Sequence, residues 1–173
     1  MSLSAAIADL YEYGNWANGK LLALARDLPE AQLRQRFSQG ALPILESFCH
    51  LVSADRRWLA RFQEAPLPAG LTVAELPTMA AVERAYAEVA SARRAYLATL
   101  DDVAVGAMIR WADGAETREL VRWQALVQSA NHGTQHRSEI AAMLTDCGRS
   151  PGDLDFGLWC RQHARGGAPA PAR

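Results

Sequence analysis

The chain has 173 residues, the size of one domain, with 18 basic and 19 acidic side chains and a formal net charge of -1. This balance excludes a broad surface for nucleic acid or anionic membranes, because both require an excess of basic residues. Hydrophobic residues make up 50% and charged residues 21%, a globular composition that excludes disorder of the whole chain.

Neither a membrane helix nor an export signal is predicted. No apolar run approaches the ~18–20 residues of a membrane-spanning helix, and the N-terminal segment has no basic region followed by an apolar one. Three cysteines, Cys49, Cys147 and Cys160, are an odd number without the spacing of a disulfide framework. We therefore expect a reducing, cytoplasmic location and neither a membrane nor a nucleic-acid partner.

Four segments show helical periodicity of their apolar residues. The predicted helices cover residues 3–26, 40–63, 79–100 and 118–147. A short extra turn can follow the first helix at residues 29–35, where a proline occupies a permitted first-turn position. Thr78 is the expected N-cap of the third helix, and Gly148 with Pro151 is expected to end the fourth.

Two connections between these helices are long. Residues 64–77 contain three prolines, and at ~3.3 Å per residue they can cross a bundle from end to end. Residues 103–120 contain Asp113-Gly114, a short-turn signal, and are expected to form a small hairpin or an ordered loop.

The elements together predict one all-α domain over residues 1–164. Its expected architecture is a four-helix bundle with a long crossover between the second and third helices. The remaining residues, 165–173, are rich in glycine, alanine and proline and are expected to be disordered.

The strongest local signal for chemistry is the pair His132 and His136. On a helix, residues four apart lie within about 40° of each other and one turn apart, so their imidazoles can bind one metal ion. Both lie on the apolar face of the fourth predicted helix, where unpaired imidazoles are costly. The pair alone is also compatible with two core histidines that hydrogen-bond to neighbouring helices.

A third ligand is needed, because open catalytic metal sites usually have three protein ligands. His50, on the second predicted helix, is the natural candidate, and His163 near the tail is a weaker one. Helical geometry places His50 about 120–150° from the apolar stripe of its helix. Periodicity therefore leaves open whether His50 faces a cleft, a second neighbouring element or the solvent, and slightly favours the solvent.

Several charged residues are candidates for supporting roles. Glu46, Asp55 and Glu139 can orient a ligand or act as a base, although a buried pair with arginine explains Asp55 equally well and a solvated charge explains Glu139. Arg137 can bind a substrate carboxylate or form a surface salt bridge. The sequence contains no Gly-rich phosphate loop, nucleophile elbow or Cys-x-x-Cys motif.

Three motifs follow one another in a specific order, YGNWAN at residues 13–18, LESFCHLV at 45–52 and NHGTQHR at 131–137. Together with Gly148, Pro151 and DLD at 153–155, they resemble the DinB family of damage-inducible proteins, in the wider DinB/YfiT-like superfamily. The likeness spans about residues 5–160. The family often has His-His-Arg-Gly-Gln where this chain has QHRSE at 135–139, a change that keeps the second of these histidines.

The resemblance implies a four-helix bundle with a long crossover and a homodimeric assembly. It also implies one divalent metal ion held by His50, His132 and His136, and we expect His163 to be excluded. Imidazole ligands suit zinc, nickel, iron and copper alike, so the sequence does not identify the metal. Relatives include thiol S-transferases and thiol-dependent isomerases that use low-molecular-weight thiols.

Two classes of function follow. The first is a metal-dependent enzyme that acts on a small molecule, either by transferring a low-molecular-weight thiol to an electrophile or by activating water for hydrolysis. The second is a non-enzymatic stress protein that binds metal or a small ligand without turnover.

Overall fold

The computed structural model describes residues 2–38, 40 and 42–163. Its elements are α1 (Leu3–Ala25), α2 (Glu30–Arg34), α3 (Ile44–Phe62), α4 (Met79–Leu97), α5 (Asp102–Gly106), β1 (Met108–Asp113), β2 (Glu116–Val121), α6 (Arg122–Asp146) and α7 (Phe156–His163). The described chain is therefore mostly helical, with one small antiparallel sheet. None of the described helices is long and apolar enough to cross a membrane. The predicted disorder of residues 165–173 lies outside the described residues.

Local signals position the helix ends largely where the sequence predicts. The Thr78 hydroxyl accepts a hydrogen bond from the Ala81 N–H at 3.2 Å and caps α4. Gly148 follows α6 with a φ of 73°. Both predicted helix ends are confirmed, and the short turn expected at residues 29–35 is α2.

The four long helices, α1, α3, α4 and α6, pack around a common core. Both α1 and α3 contact α4 and α6. Each helix contributes large side chains that are less than 2% exposed, among them Leu21, Phe62, Val82 and Ile140. Burial of one such side chain contributes about 1.5–3 kcal/mol, so the amphipathic faces of the long helices supply most of the stabilisation.

The connection from α3 to α4 runs back along α3. The thiol of Cys49, in the second turn of α3, donates to the Leu76 carbonyl at 3.6 Å. At the other end, the Tyr96 hydroxyl of α4 donates to the Phe62 carbonyl, the last residue of α3, at 2.8 Å. The two helices therefore run in the same direction, which is the course that a long crossover requires.

The predicted start of the fourth helix is wrong, because residues 118–121 belong to β2. This strand pairs with β1 along its whole length. The backbone groups of residues 118–121 therefore form hydrogen bonds between strands, although periodicity predicted a helix there. Helix α6 begins only after Val121, whose N–H donates to Gln124 Oε1 at 3.3 Å. The hairpin predicted at Asp113-Gly114 is confirmed.

Two short helices were not predicted from the sequence, α5 and α7. In α7, the Leu158 N–H donates to Asp155 Oδ1 at 3.0 Å, and the buried Trp159 packs edge-on against Tyr13 of α1. An eight-residue helix is too short for periodicity to identify, and its position depends on this tertiary contact.

A buried ion pair joins three of the long helices. Arg93 Nη1 of α4 lies 2.6 Å from Asp55 Oδ2 of α3, and the two side chains are 5% and 12% exposed. The Arg93 Nη2 group also donates to Asn15 Oδ1 of α1 at 2.8 Å, and the guanidinium lies over the Tyr11 ring. Of the two interpretations of Asp55 that the sequence allowed, the structure shows the buried pair with arginine.

Replacement of Asp55 by alanine is expected to lower the free energy of unfolding by about 3–5 kcal/mol, because it leaves the charge of Arg93 buried without a partner. The matched control is Glu12→Ala, which breaks the exposed Arg94–Glu12 pair and is expected to cost less than about 1 kcal/mol. Urea denaturation followed by circular dichroism measures both values. Equal losses in the two variants would contradict the prediction.

Candidate metal centre

Three imidazoles from two helices meet at one point. His50 Nε2 of α3 lies 3.4 Å from His132 Nε2 of α6, and His132 Nε2 lies 3.2 Å from His136 Nε2. One nitrogen from each ring lies within 4.8 Å of the other two, and all three residues are half-buried. The structure therefore brings together the three histidines that the sequence singled out.

The spacing of these nitrogens fits a shared cation. Two nitrogen ligands at ~2.0–2.1 Å from a tetrahedral ion stand about 3.3 Å apart, close to the two observed separations. Without a cation, the three Nε2 atoms of neutral imidazoles would face one another. A proton on one Nε2 can form a hydrogen bond to only one neighbouring ring, which leaves another lone pair without a donor. A cation satisfies all three lone pairs at once, so the group could hold a divalent metal ion.

The protonation state of the histidines also suits coordination. Burial, followed by the charge of His136, lowers the pKa of His50. Burial, followed by the charges of His136 and His50, lowers the pKa of His132. A lowered pKa favours the neutral imidazole, which is the form that binds metal.

Glu139 supports one of the ligands. His136 Nδ1 lies 3.0 Å from Glu139 Oε2, one turn further along α6. An N–H at Nδ1 that donates to this carboxylate leaves the Nε2 lone pair directed at the other histidines, an arrangement common among metal-binding histidines. Glu139 is half-buried beside the centre, whereas Asp55 is held by Arg93.

His50 faces a cleft that periodicity alone could not reveal. The α3 cleft, of about 370 Å³, is lined by Leu42, Glu46, Cys49, His50, Ser53, Leu71, Thr72 and Val73. Its outer wall is the irregular α3–α4 connection, held by a hydrogen bond from the Leu71 N–H to Ser53 Oγ at 2.9 Å. No sequence signal identified the lining residues of this connection, because an irregular segment has no period.

Two other candidates lie away from the centre. The Arg137 guanidinium is directed at α1, over the ring of Tyr13 at 5.5 Å, and lies roughly 140° around α6 from His132. His163 is in α7, where its Nδ1 lies 2.9 Å from the Trp159 carbonyl. His163 does not belong to the group formed by the three histidines.

Comparisons with known proteins agree with the sequence motifs. The model of the DinB family matches residues 1–165. The chain is also 24% identical over 157 residues to "Protein DinB" of Bacillus subtilis (strain 168), an alignment that covers 87% of this chain and 91% of that protein. The resemblance inferred from the motifs is confirmed.

Replacement of His136 by alanine is expected to lower both the metal content of the purified protein and its Tm, because an ion held by α3 and α6 links the two helices. Metal content of untagged protein is measured by plasma mass spectrometry, and Tm by calorimetry. His163→Ala is the control and is expected to change neither. Wild-type metal content in His50→Ala would refute the three-histidine site.

Replacement of Glu139 by alanine is expected to weaken metal binding by about 10–100-fold without abolishing it, because the carboxylate only orients His136. Competition with a chelator of known affinity measures the change. Glu139→Gln retains an oxygen acceptor for the Nδ1–H and is expected to lie between wild type and Glu139→Ala. A complete loss of binding in Glu139→Ala would instead indicate that this carboxylate is itself a ligand.

Proposed function

Because the chain belongs to the DinB family, we propose that it is a metal-dependent enzyme that transfers a low-molecular-weight thiol to a small electrophile. The cluster of His50, His132 and His136 is the observation that carries this proposal. In the same proposal, α1, α3, α4 and α6 form the DinB-type four-helix bundle, and the α3–α4 connection is its crossover.

The ligand set suits activation of a bound nucleophile. A divalent ion held by these three neutral imidazoles would keep its full charge and would lower the pKa of a thiol or water bound to it. Zinc, nickel and iron all accept imidazole ligands. The chain contributes the three ligand nitrogens and the Glu139 carboxylate that orients one of them.

The nucleophile comes from the substrate in this proposal, because the nearby cysteine is unsuitable. Burial, together with the charge of Glu46, raises the pKa of the Cys49 thiol to about 11, and this thiol donates to the Leu76 carbonyl. Cys49 therefore stays protonated near neutral pH.

The α3 cleft is the proposed substrate site. It opens beside His50, and Leu42, Leu71 and Val73 supply apolar parts of its wall. Apolar walls exclude water and strengthen electrostatic interactions with the reacting groups. The size of the cleft and the nature of its walls suit a small electrophile with apolar surface.

Metal-assisted hydrolysis is the second candidate, and one residue favours it. Glu46 lines the α3 cleft one turn before His50, on the same side of α3. A carboxylate in that position can accept a proton from an attacking water. The same residue has no evident role in thiol transfer, so it distinguishes the two reactions.

Thiol transfer is expected to require both the metal centre and an added thiol. The assay combines glutathione, cysteine and other small thiols with a generic chromogenic electrophile and follows conjugation by absorbance. His132→Ala is expected to abolish activity, because it removes a ligand, whereas His163→Ala is expected to retain it.

The other outcomes each favour a different function. Turnover that needs no thiol and is lost in Glu46→Gln would replace thiol transfer by hydrolysis. Absence of turnover in fully metallated protein would replace both by a non-enzymatic metal-binding role.

The homodimer that the family resemblance implies remains a prediction. Exposed apolar side chains in α5, β1 and the first turns of α6 offer a contact surface, among them Val103, Met108, Trp123 and Val127. Light scattering at micromolar concentration is expected to give twice the chain mass. Trp123→Glu is expected to give monomer, with the exposed Gln128→Glu as control, and a monomeric wild type would refute the dimer.

A further inference from the structure

The interior between the long helices holds an arginine, Arg137, that forms no ion pair of its own. Arg93 and Arg137 are 4% and 7% exposed, and both line a small central cavity of about 20 Å³ with Asp55. Asp55 pairs with Arg93. Among the described residues, no carboxylate lies within ion-pair distance of Arg137, although a buried guanidinium stays charged and is costly without a partner.

The local structure holds this guanidinium in place without neutralising it. Arg137 Nη2 donates to Thr134 Oγ1 at 2.7 Å, and the guanidinium lies over the Tyr13 ring. A Cβ at Gly133 would lie 2.9 Å from Arg137 Nη1, so the glycine provides room for the guanidinium. The position is thus formed by several residues, none of which carries a negative charge.

Arg137 also lines a second cleft. The α6 cleft, of about 410 Å³, is bordered by Tyr13, by a face of α6 that includes Thr134 and Arg137, and by residues 152–155. On α6, Thr134 and Arg137 lie roughly 140–200° around the helix from His132. The α6 cleft is therefore separate from the metal centre and from the α3 cleft.

The opposite side of the α6 cleft carries two carboxylates. Asp153 Oδ1 accepts a hydrogen bond from the Asp155 N–H at 2.8 Å, and Asp155 Oδ1 accepts one from the Leu158 N–H at 3.0 Å. These bonds hold both side chains at the exposed edge of the cleft while each keeps a second oxygen. The cleft thus presents a buried positive charge and exposed negative charges that do not pair with each other.

We propose that the α6 cleft binds a small zwitterion of the amino-acid type. Its carboxylate binds the Arg137 guanidinium through charge-assisted hydrogen bonds, and its ammonium faces Asp153 and Asp155. A simple anion forms only the contact with Arg137, and a simple cation forms only the contact with the aspartate edge, where the Lys20 ammonium also lies 3.4 Å from the Asp153 carbonyl. A molecule that carries both charges matches both sides of the cleft and supplies a carboxylate that pairs directly with Arg137.

The test uses the full chain and isothermal titration calorimetry with a series of ω-amino acids, from glycine to 6-aminohexanoate. Acetate and methylammonium supply the two charged groups separately. One member of the series is expected to bind at least about 10-fold more tightly than either single-charge probe, because it forms an additional charged contact. The number of carbon atoms in that amino acid indicates the distance between the Arg137 guanidinium and the two aspartates.

Variants assign the two charged contacts. Arg137→Met is expected to abolish binding, and the double variant Asp153→Asn with Asp155→Asn is expected to reduce the best amino acid to the level of acetate. Asparagine keeps the side-chain oxygen that each aspartate uses as an acceptor. Arg149→Met, which removes an exposed arginine just after α6, is the matched control and is expected to bind like wild type.

Two further variants separate this site from folding and from the metal centre. Ser138→Trp fills the cleft from an exposed position on α6 and is expected to abolish binding even if Arg137→Met fails to fold. His132→Ala is expected to retain binding, because it lies on another face of the helix. The proposal is overturned if no member of the series exceeds acetate and methylammonium, or if folded Arg137→Met binds like wild type.

Discussion

The ion pair between Arg93 and Asp55 constrains how the long helices can pack. Each charge is costly to bury alone, so any arrangement of α3 and α4 that separates them is strongly disfavoured. Arg93 also binds Asn15 of α1, and the Tyr86 hydroxyl donates to the same Asn15 oxygen at 2.9 Å. These bonds select one axial position and one rotation for α1, α3 and α4, which apolar contacts alone would leave less defined.

The rotation of α3 in turn determines the metal centre. Asp55 follows His50 by five residues, so the two side chains leave α3 about 140° apart. When Asp55 is directed at Arg93, His50 is directed at α6, where the i,i+4 pair His132 and His136 presents its nitrogens. The ion pair thus bears on the rotation of α3 that brings His50 to the other two imidazoles, although it contributes no ligand.

The sequence predicted what depends on local periodicity and missed what depends on neighbours. The long helices, the hairpin turn and the i,i+4 histidines have signals within a few residues of one another. The cleft beside His50 depends on the irregular α3–α4 connection, which forms one of its walls. Residues 118–121 depend on a partner strand, and α7 depends on the contact of Trp159 with Tyr13.

The motif at residues 131–137 therefore places two different groups of side chains on two faces of α6 within two helical turns. His132 and His136 face α3, whereas Gly133 and Arg137 face α1. A glycine in the middle of a helix costs about 1 kcal/mol relative to alanine, and here an added Cβ would lie 2.9 Å from Arg137 Nη1, so the end of that side chain would have to shift. Gly133 thus leaves room for the guanidinium beside Tyr13, on a face of α6 that carries none of the three histidines.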